Sequence, residues 1–240
     1  MTTLVLSLGG SLIVPDKIDV KFLKNFKKTI LNFTAKKNKV IIICGGGKTC
    51  RIYQNECKKI STTSNKELDL LGIKATMLNA QLVKAIFGDK AILIGDPEKK
   101  IKTNKKIIIG AGWLPGYSSD MDAVLVAKNF KAKTLINLSN VQYIYNKDPN
   151  KFKDAKKIKQ TTWKNFQKIV GTKWIPGKNT PFDPIATKLA TKLKLKLLFM
   201  NGDITNFNNF LNHQNRRFSG CRKSQEISKQ NKPFKGSIVN

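Results

Sequence analysis

Two glycine clusters stand directly behind short apolar runs. Leu4-Val5-Leu6-Ser7-Leu8 leads into Gly9-Gly10-Ser11, and Val40-Ile41-Ile42-Ile43-Cys44 leads into Gly45-Gly46-Gly47-Lys48. Glycine has no Cβ, so its backbone N–H can approach an anion closely. Behind the second cluster Ile52, Cys57 and Ile60 recur at roughly helical spacing, so that loop feeds a helix. A helix N-terminus carries unpaired N–H donors and partial positive charge, which together make a seat for phosphate. Two such seats imply two phosphate-bearing ligands. The competing reading is a pair of plain strand-to-helix turns. Neither cluster is Gly-x-x-x-x-Gly-Lys-Ser/Thr or Gly-x-Gly-x-x-Gly, so neither a Walker loop nor a dinucleotide fold is supported.

The elements around these loops alternate. Leu4–Leu8 and Val40–Cys44 are short and rich in aliphatic residues, as strands buried on both faces are. Phe22, Leu23, Phe26, Ile30 and Phe33 mark an amphipathic helix, and Leu68, Leu71, Ala75, Leu78, Leu82 and Ile86 a long one. Strands are expected at Ala91–Ile94, Ile107–Ile109, Thr134–Leu138 and Leu195–Met200, with a last one within Phe234–Val239. Val141–Tyr145 either extends the Thr134 strand or forms a hairpin. A glycine-rich loop, Gly110 to Ser119, ends at the cap of a helix bearing Asp120, Val124, Ala127 and Phe130. Asp183-Pro184 opens another helix, with Asp183 as cap and Pro184 in the first turn. The alternation predicts an α/β fold with a mainly parallel sheet. His213–Lys232 is polar and basic and shows no period.

Composition narrows the functions. The formal charge is +30, from 45 basic and 15 acidic residues. The arginines are only Arg51, Arg216, Arg217 and Arg222; lysine is spread along the chain without interleaved aromatic residues. That pattern reads as solvated faces, so nucleic acid is not an expected partner, while weak steering of anionic nucleotides follows. No apolar stretch is read as a membrane span. Cys44, Cys50, Cys57 and Cys221 lack Cys-x-x-Cys spacing, which argues against a zinc ribbon and for free thiols in a reducing cytosol. The first strand opens almost at Met1, so no secretory leader is expected, and the location is read as cytoplasmic. His213 is the single histidine, which excludes a Ser-His-Asp triad and a multi-histidine metal site. No protein-built metal site is read from the sequence.

In this order the motifs resemble the amino-acid kinase superfamily, and within it UMP kinases of the archaeal-like type. The resemblance spans essentially the whole chain. It rests on Gly9-Gly10-Ser11, Gly45 to Arg51, Asp69-Leu70-Leu71-Gly72-Ile73, and Pro115-Gly116-Tyr117-Ser118-Ser119-Asp120. It continues through Ser139-Asn140-Val141 with Tyr145 and Asp148-Pro149, then Asp183-Pro184 and Gly236-Ser237-Ile238-Val239. It implies a three-layer α/β/α sandwich forming a single domain, 1–240. About 1–110 would be a UMP-side lobe and about 111–240 an ATP-side lobe. The implied reaction is ATP plus UMP to ADP plus UDP with Mg2+, and the implied assembly a homohexamer.

Carried over residue by residue, the resemblance gives Gly10 and Ser11 to the ATP phosphates, Gly46 to the UMP phosphate, and Gly47 and Arg51 to ATP. Asp69 would accept from the ribose hydroxyls of UMP. Trp113, Leu114, Pro115, Gly116, Tyr117, Ser118 and Ser119 would wrap UMP. Ser139, Asn140, Tyr145 and Asp148 would line the adenosine site, and Asp120 joins the catalytic set. Many superfamily members hold the transferring phosphoryl group with one lysine where this chain has Ser7 and another where it has Pro184. Lys48 and Arg51 are therefore the expected replacements, with Lys188 as a further candidate. The chain also reads Asn140-Val141-Gln142-Tyr143-Ile144-Tyr145 where relatives often have Asn-Val-Asp-Gly-Val-Tyr. The alternatives are another small-acceptor kinase of the same superfamily, or a nucleotide-sensing regulator that binds nucleic acid. Isopentenyl phosphate kinases use a histidine near the glycine loop that is missing here, and acetylglutamate and glutamate kinases normally keep both lysines.

Overall fold

The computed structural model describes residues 2–149, 151–172, 180–218 and 234–240. In chain order the strands are β1 (Thr3–Leu8), β2 (Lys39–Cys44), β3 (Ala91–Leu93), β4 (Ile107–Gly110), β5 (Thr134–Ser139), β6 (Ile144–Tyr145), β7 (Lys157–Ile158), β8 (Gln160–Thr161), β9 (Lys196–Asn201) and β10 (Ser237–Val239). The α-helices are α1 (Gly10–Ile13), α2 (Val20–Ala35), α3 (Gly47–Ile60), α4 (Asn65–Phe87), α5 (Ser119–Asn129), α6 (Trp163–Val170), α7 (Pro184–Lys192) and α8 (Ile204–Phe218).

Eight strands form one sheet in the order β3-β4-β2-β1-β5-β9-β10-β8. The pairs from β3 to β9 are all parallel, and β10 runs antiparallel to β9. Alternation along β1 splits the core in two. Leu4, Leu6 and Leu8 pack on one face with residues of α2, α4 and α8, whereas Val5 belongs to a second cluster with α5, α6 and α7. The three layers predicted from the resemblance are therefore present, and Ser7, on the Val5 face, is turned toward α5.

Register decides where the loops emerge. Leu8 lies opposite Cys44 of β2 and Leu138 of β5, and Ile43 lies opposite Gly110. The segments after β1, β2, β4 and β5 thus leave the sheet at one edge, outside the carboxyl ends of the strands, where open α/β sheets bind ligands.

Some elements depart from the sequence expectations. Val141–Tyr145 does not extend β5: β6 pairs antiparallel with β7 in a separate two-stranded ribbon. Helix α5 buries every residue from Met121 to Ala127, because sheet, α7 and the loops surround it. The residues that mark it in the sequence, Asp120, Val124, Ala127 and Phe130, include only two of those seven buried positions. Helix α8 continues to Phe218, so the first residues of the segment read as aperiodic are helical; 219–232 lies outside the described residues. Helix α4 is long and apolar enough to cross a membrane, with a window of mean hydropathy 1.3, contrary to the expectation that no stretch would qualify. Its packing explains the composition: it lies against α3, β2, β3 and β4, and it buries Asn79. Cys44 is buried, and Cys44, Cys50 and Cys57 are free thiols.

Candidate active site

The two glycine turns are one structure. A Cβ on Gly10 would lie 2.0 Å from the Gly47 amide nitrogen and 2.6 Å from the Gly45 carbonyl carbon. Gly47 itself sits at φ 63°, and a Cβ there would come within 2.3 Å of the Gly10 carbonyl oxygen. Only glycine permits that backbone-on-backbone contact. The Gly45 N–H donates to the Leu8 carbonyl at 2.9 Å and the Gly9 N–H to Leu138 at 2.8 Å, which ties both turns to the sheet edge. Helix α3 begins at Gly47 behind Gly46 with no side-chain cap. Among its first-turn amides the Lys48 N–H already donates to the Val14 carbonyl at 3.0 Å, which ties the start of α3 to the residue after α1, so the remaining N–H groups of that turn are the ones that suit an anion.

Asn79, on the buried face of α4, orients the second turn. Its Nδ2 donates to the Gly45 carbonyl at 2.8 Å and the Gly46 carbonyl at 3.1 Å. Sequence reasoning missed it, although a polar residue four positions after Ala75 in an apolar stripe was a usable signal. Thr76 was missed as well: its Oγ1 accepts from the Gly112 N–H at 2.9 Å and donates to the Ile73 carbonyl at 2.7 Å.

The loop from Trp113 to Ser119 closes over this region from β4. Asp69 on α4 accepts the Gly116 N–H at 2.9 Å through Oδ2. Asp122 accepts the Trp113 N–H at 3.3 Å through its Oδ2. Ser118 caps α5 by accepting from Met121 at 3.2 Å. Leu114 and Tyr117 are exposed, while Trp113, Pro115, Gly116, Ser118 and Ser119 are half-buried. Gly46 and Gly72 flank Cys50, and burial raises the Cys50 thiol pKa, with Arg51 opposing and Asp69 adding to the rise.

Three carboxylates lie behind the glycine turns. Asp120 accepts from Ser7 Oγ at 2.8 Å and from Asn137 Nδ2 at 3.2 Å, both at Oδ1. Asp183 caps α7 through Oδ1, accepting from Ile185 and Ala186 at 2.5 and 2.8 Å. Desolvation pushes Asp120 up to about 7; the Ser7 hydroxyl opposes that, the Asp183 charge adds to it, and the Asp183 N–H opposes it. Asp122 is likewise pushed up to about 7 by burial, with the Trp113 N–H opposing and the charges of Asp120 and Asp183 adding. Asp122 Oδ1 and Asp183 Oδ2 are buried without a hydrogen-bond partner. No ion pair joins these carboxylates to a cation among the described residues. Lys48 pairs instead with Asp16 at 3.3 Å. Arg51 and Lys188 are exposed. Ser7 thus occupies the face where a lysine would meet Asp120, and supplies a hydrogen bond in place of a charge.

On the other side of β1, Ser139 ends β5 and Asn140 follows it, and Ser139 Oγ donates to Asn140 Oδ1 at 3.3 Å. Tyr145 lies in the separate ribbon, and the Asp148 carbonyl accepts from Lys151 and Phe152 at 3.1 and 3.0 Å. The fold brings Gly10, Gly46, Gly47, Asp69 and the Trp113–Ser119 loop together through contacts with one another and with α4, whereas Tyr145 belongs to the separate β6–β7 ribbon.

The sequence profile of the amino acid kinase family matches residues 2–201. This chain belongs to the amino acid kinase family. Among amino acid kinase relatives, the uridylate kinase of Thermoplasma volcanium is 31% identical over 213 residues, covering 87% of this chain and 92% of that one. The uridylate kinase of Methanococcus aeolicus is 32% identical over 206 residues, covering 83% and 90%. The crystal structure of uridylate kinase from Archaeoglobus fulgidus superposes with a TM-score of 0.74 at 26% identity, covering all of both chains. Aspartate kinase from Synechocystis shares the fold, with a TM-score of 0.67 at 18% identity, over 84% of this chain and 38% of that one.

Proposed function

We propose that the chain is a UMP kinase, moving the γ-phosphoryl group of ATP to UMP to give ADP and UDP. The observation that carries this reading is the backbone contact between the Gly10 and Gly47 turns beneath a loop held by Asp69, in a chain whose uridylate kinase relatives match more than four-fifths of its length. Phosphoryl transfer requires two anions held in line while charge on the transferring group is neutralised. Two amide-lined turns in contact suit that need, because preorganised N–H groups cost no reorganisation during reaction.

In this reading Gly10, Ser11 and Gly47 bind ATP phosphates and Gly46 binds the phosphate of UMP. Asp69 accepts from the ribose through Oδ1 while Oδ2 keeps the loop closed. Trp113 to Ser119 wrap the acceptor, and Ser139, Asn140, Tyr145 and Asp148 line the adenosine side. The UMP-side and ATP-side lobes then meet along β1. Asp120, hydrogen-bonded by Ser7, is the carboxylate nearest in role to the reacting groups.

No cluster of three or more His, Cys, Asp or Glu able to hold a metal is present among the described residues. Asp120, whose Oδ1 accepts from Ser7 and Asn137, is the carboxylate that would hold Mg2+ together with the ATP phosphates, in keeping with that ion's habit of taking few protein ligands. When bound, Mg2+ neutralises β- and γ-phosphate charge. Lys48 and Arg51 supply the remaining positive charge, with Lys48 leaving Asp16 as nucleotides bind. Cytoplasmic location and a homohexamer complete the reading.

Two measurements test it. ADP release with ATP and Mg2+ should be fastest with UMP among UMP, CMP, AMP, isopentenyl phosphate and glutamate. A preference for any other acceptor removes the assignment. Single-turnover rates for Lys48→Ala and Arg51→Ala should each fall by ~10²-fold, the scale for one transition-state donor. A fall in Lys188→Ala alone would place that charge on α7 instead.

A further inference from the structure

The lysines look evenly spread in the sequence, yet the fold gathers a set of them on one face. β3, β4, β2, β1, β5 and β9 all begin at the sheet edge opposite the glycine turns. Within the four residues before each of β2, β3, β4, β5 and β9 stand nine lysines and a single acidic residue, Asp89. That is more than twice the lysine density of the whole chain. Lys37, Lys90, Lys106, Lys131, Lys133 and Lys194 are all exposed there.

Three of these lysines occupy a backbone conformation that lysine disfavours. Among the described residues, the non-glycine positions with left-handed φ are Lys37 (61°), Lys131 (54°) and Lys194 (51°). Each directly follows a helix C-cap, at Lys36, Phe130 and Leu193. Glycine is the ordinary residue at that position, because it carries no Cβ. A cation near a helix C-terminus is favoured by the carbonyl charge there, but it need not occupy the left-handed position itself. The same face holds two grooves. One, of about 560 Å³, is lined by Lys90, Lys105 and Lys106 together with Asp89 and apolar residues of α2 and β4, and the other, of about 260 Å³, carries Lys131 and Lys133 on a lining that is otherwise threonine and apolar. Lys105 and Lys106 donate from Nζ to the carbonyls of Asp89 and Thr34, which holds those two ammonium groups at the rim.

We propose that this face binds the phosphate backbone of double-stranded nucleic acid without reading its sequence. The partner follows from charge and shape. Six strands spaced about 4.8 Å apart make a rim about 24 Å long. A duplex presents one charge per about 1.7 Å of axis, so on the order of a dozen phosphates lie along such a rim. Among the described residues the exposed rings Tyr53, Tyr117 and Phe152 lie elsewhere, so the described part of this face offers no platform for stacking unpaired bases. The proposal stands apart from the kinase reading, since the face is at the other end of the strands.

The test is fluorescence anisotropy of the full chain with a labelled RNA duplex of about twenty base pairs, titrated at several KCl concentrations. Binding should be strong at roughly 50 mM and fall steeply, with a log–log slope near −5 for six phosphate contacts. The triple variant Lys37→Gly, Lys131→Gly, Lys194→Gly should lower affinity about tenfold or more and reduce the slope by roughly three. Its melting temperature should hold or rise, since glycine suits the left-handed positions, and its ADP-release activity should be unchanged. A control, Lys24→Gln, Lys66→Gln, Lys164→Gln, removes three exposed charges from outer helix faces and should leave affinity within about threefold. Absence of duplex binding at low salt overturns the proposal. Equal loss in both triple variants overturns it too, because the charge would then act diffusely. Binding to anionic phospholipid vesicles with none to the duplex would make the face a membrane-docking surface instead.

Discussion

The Asp69 carboxylate on α4 accepts the backbone N–H of Gly116 at 2.9 Å, so one oxygen of a residue expected to face the ribose is already holding the acceptor loop. Asp69 therefore has a positioning part as well as a binding part, and substitutions there should show both. Asp69→Asn can keep an acceptor for Gly116 while losing the charge-assisted bonds to ribose, each worth roughly 1.5–3 kcal/mol. The expected result is about a tenfold rise in KM for UMP with KM for ATP unchanged. Asp69→Ala loses the loop tether as well and should raise KM for UMP further and lower kcat. Steady-state kinetics with each nucleotide varied in turn checks this; equal losses for both nucleotides would remove Asp69 from the acceptor side.

Asn79→Ala should keep the fold and lose rate. It leaves the Gly45 and Gly46 carbonyls without their side-chain donor in a buried setting, a cost of about 1–3 kcal/mol in stability. Loss of the anchor lets the glycine turn reorient, and a displacement of about 1 Å is enough to lower kcat ~10²-fold. Urea unfolding and kcat measured together separate the two effects. A stability loss with kcat intact would confine Asn79 to packing.

Gly10→Ala should abolish activity, because its Cβ would meet backbone at 2.0 Å with no flexible side chain to yield. Gly95→Ala is the matched control: its Cβ would find the Trp113 ring at 3.7 Å, an ordinary contact. Thermal melts and ADP release for both variants should separate cleanly.

Asp122→Asn should stabilise the protein at pH 8 and change little at pH 4. The folded pKa of Asp122 is raised to about 7 by burial, so the native state binds more protons than the unfolded state between about pH 4 and pH 7. Stability then falls as pH rises through that window and levels off above it. The neutral amide can still accept from Trp113 and avoids the buried charge, a gain of about 2–4 kcal/mol above pH 7. Because Asp120 faces the same cluster, the pair titrates jointly. Urea unfolding across pH 4–8 checks the slope, and a wild-type profile that rises with pH would contradict the assignment.

The sequence by itself determined the glycine turns, the strands that lead into them, the Asp183-Pro184 helix start and the order of motifs that marks the family. These are local properties: an apolar run, a missing Cβ or a capping carboxylate acts through its neighbours in the chain. Only the tertiary structure decided how such pieces meet. Gly10 and Gly47 touch because the β1–β2 register sets Leu8 opposite Cys44, and no local pattern encodes that pairing. Asn79 and Asp122 become functional candidates because packing buries them beside particular backbone groups, whereas in the sequence each is one of several polar residues in its helix. The lysines divide the same way. Their number is plain in the composition, but their concentration on one face exists because parallel strands all begin at one edge of the sheet.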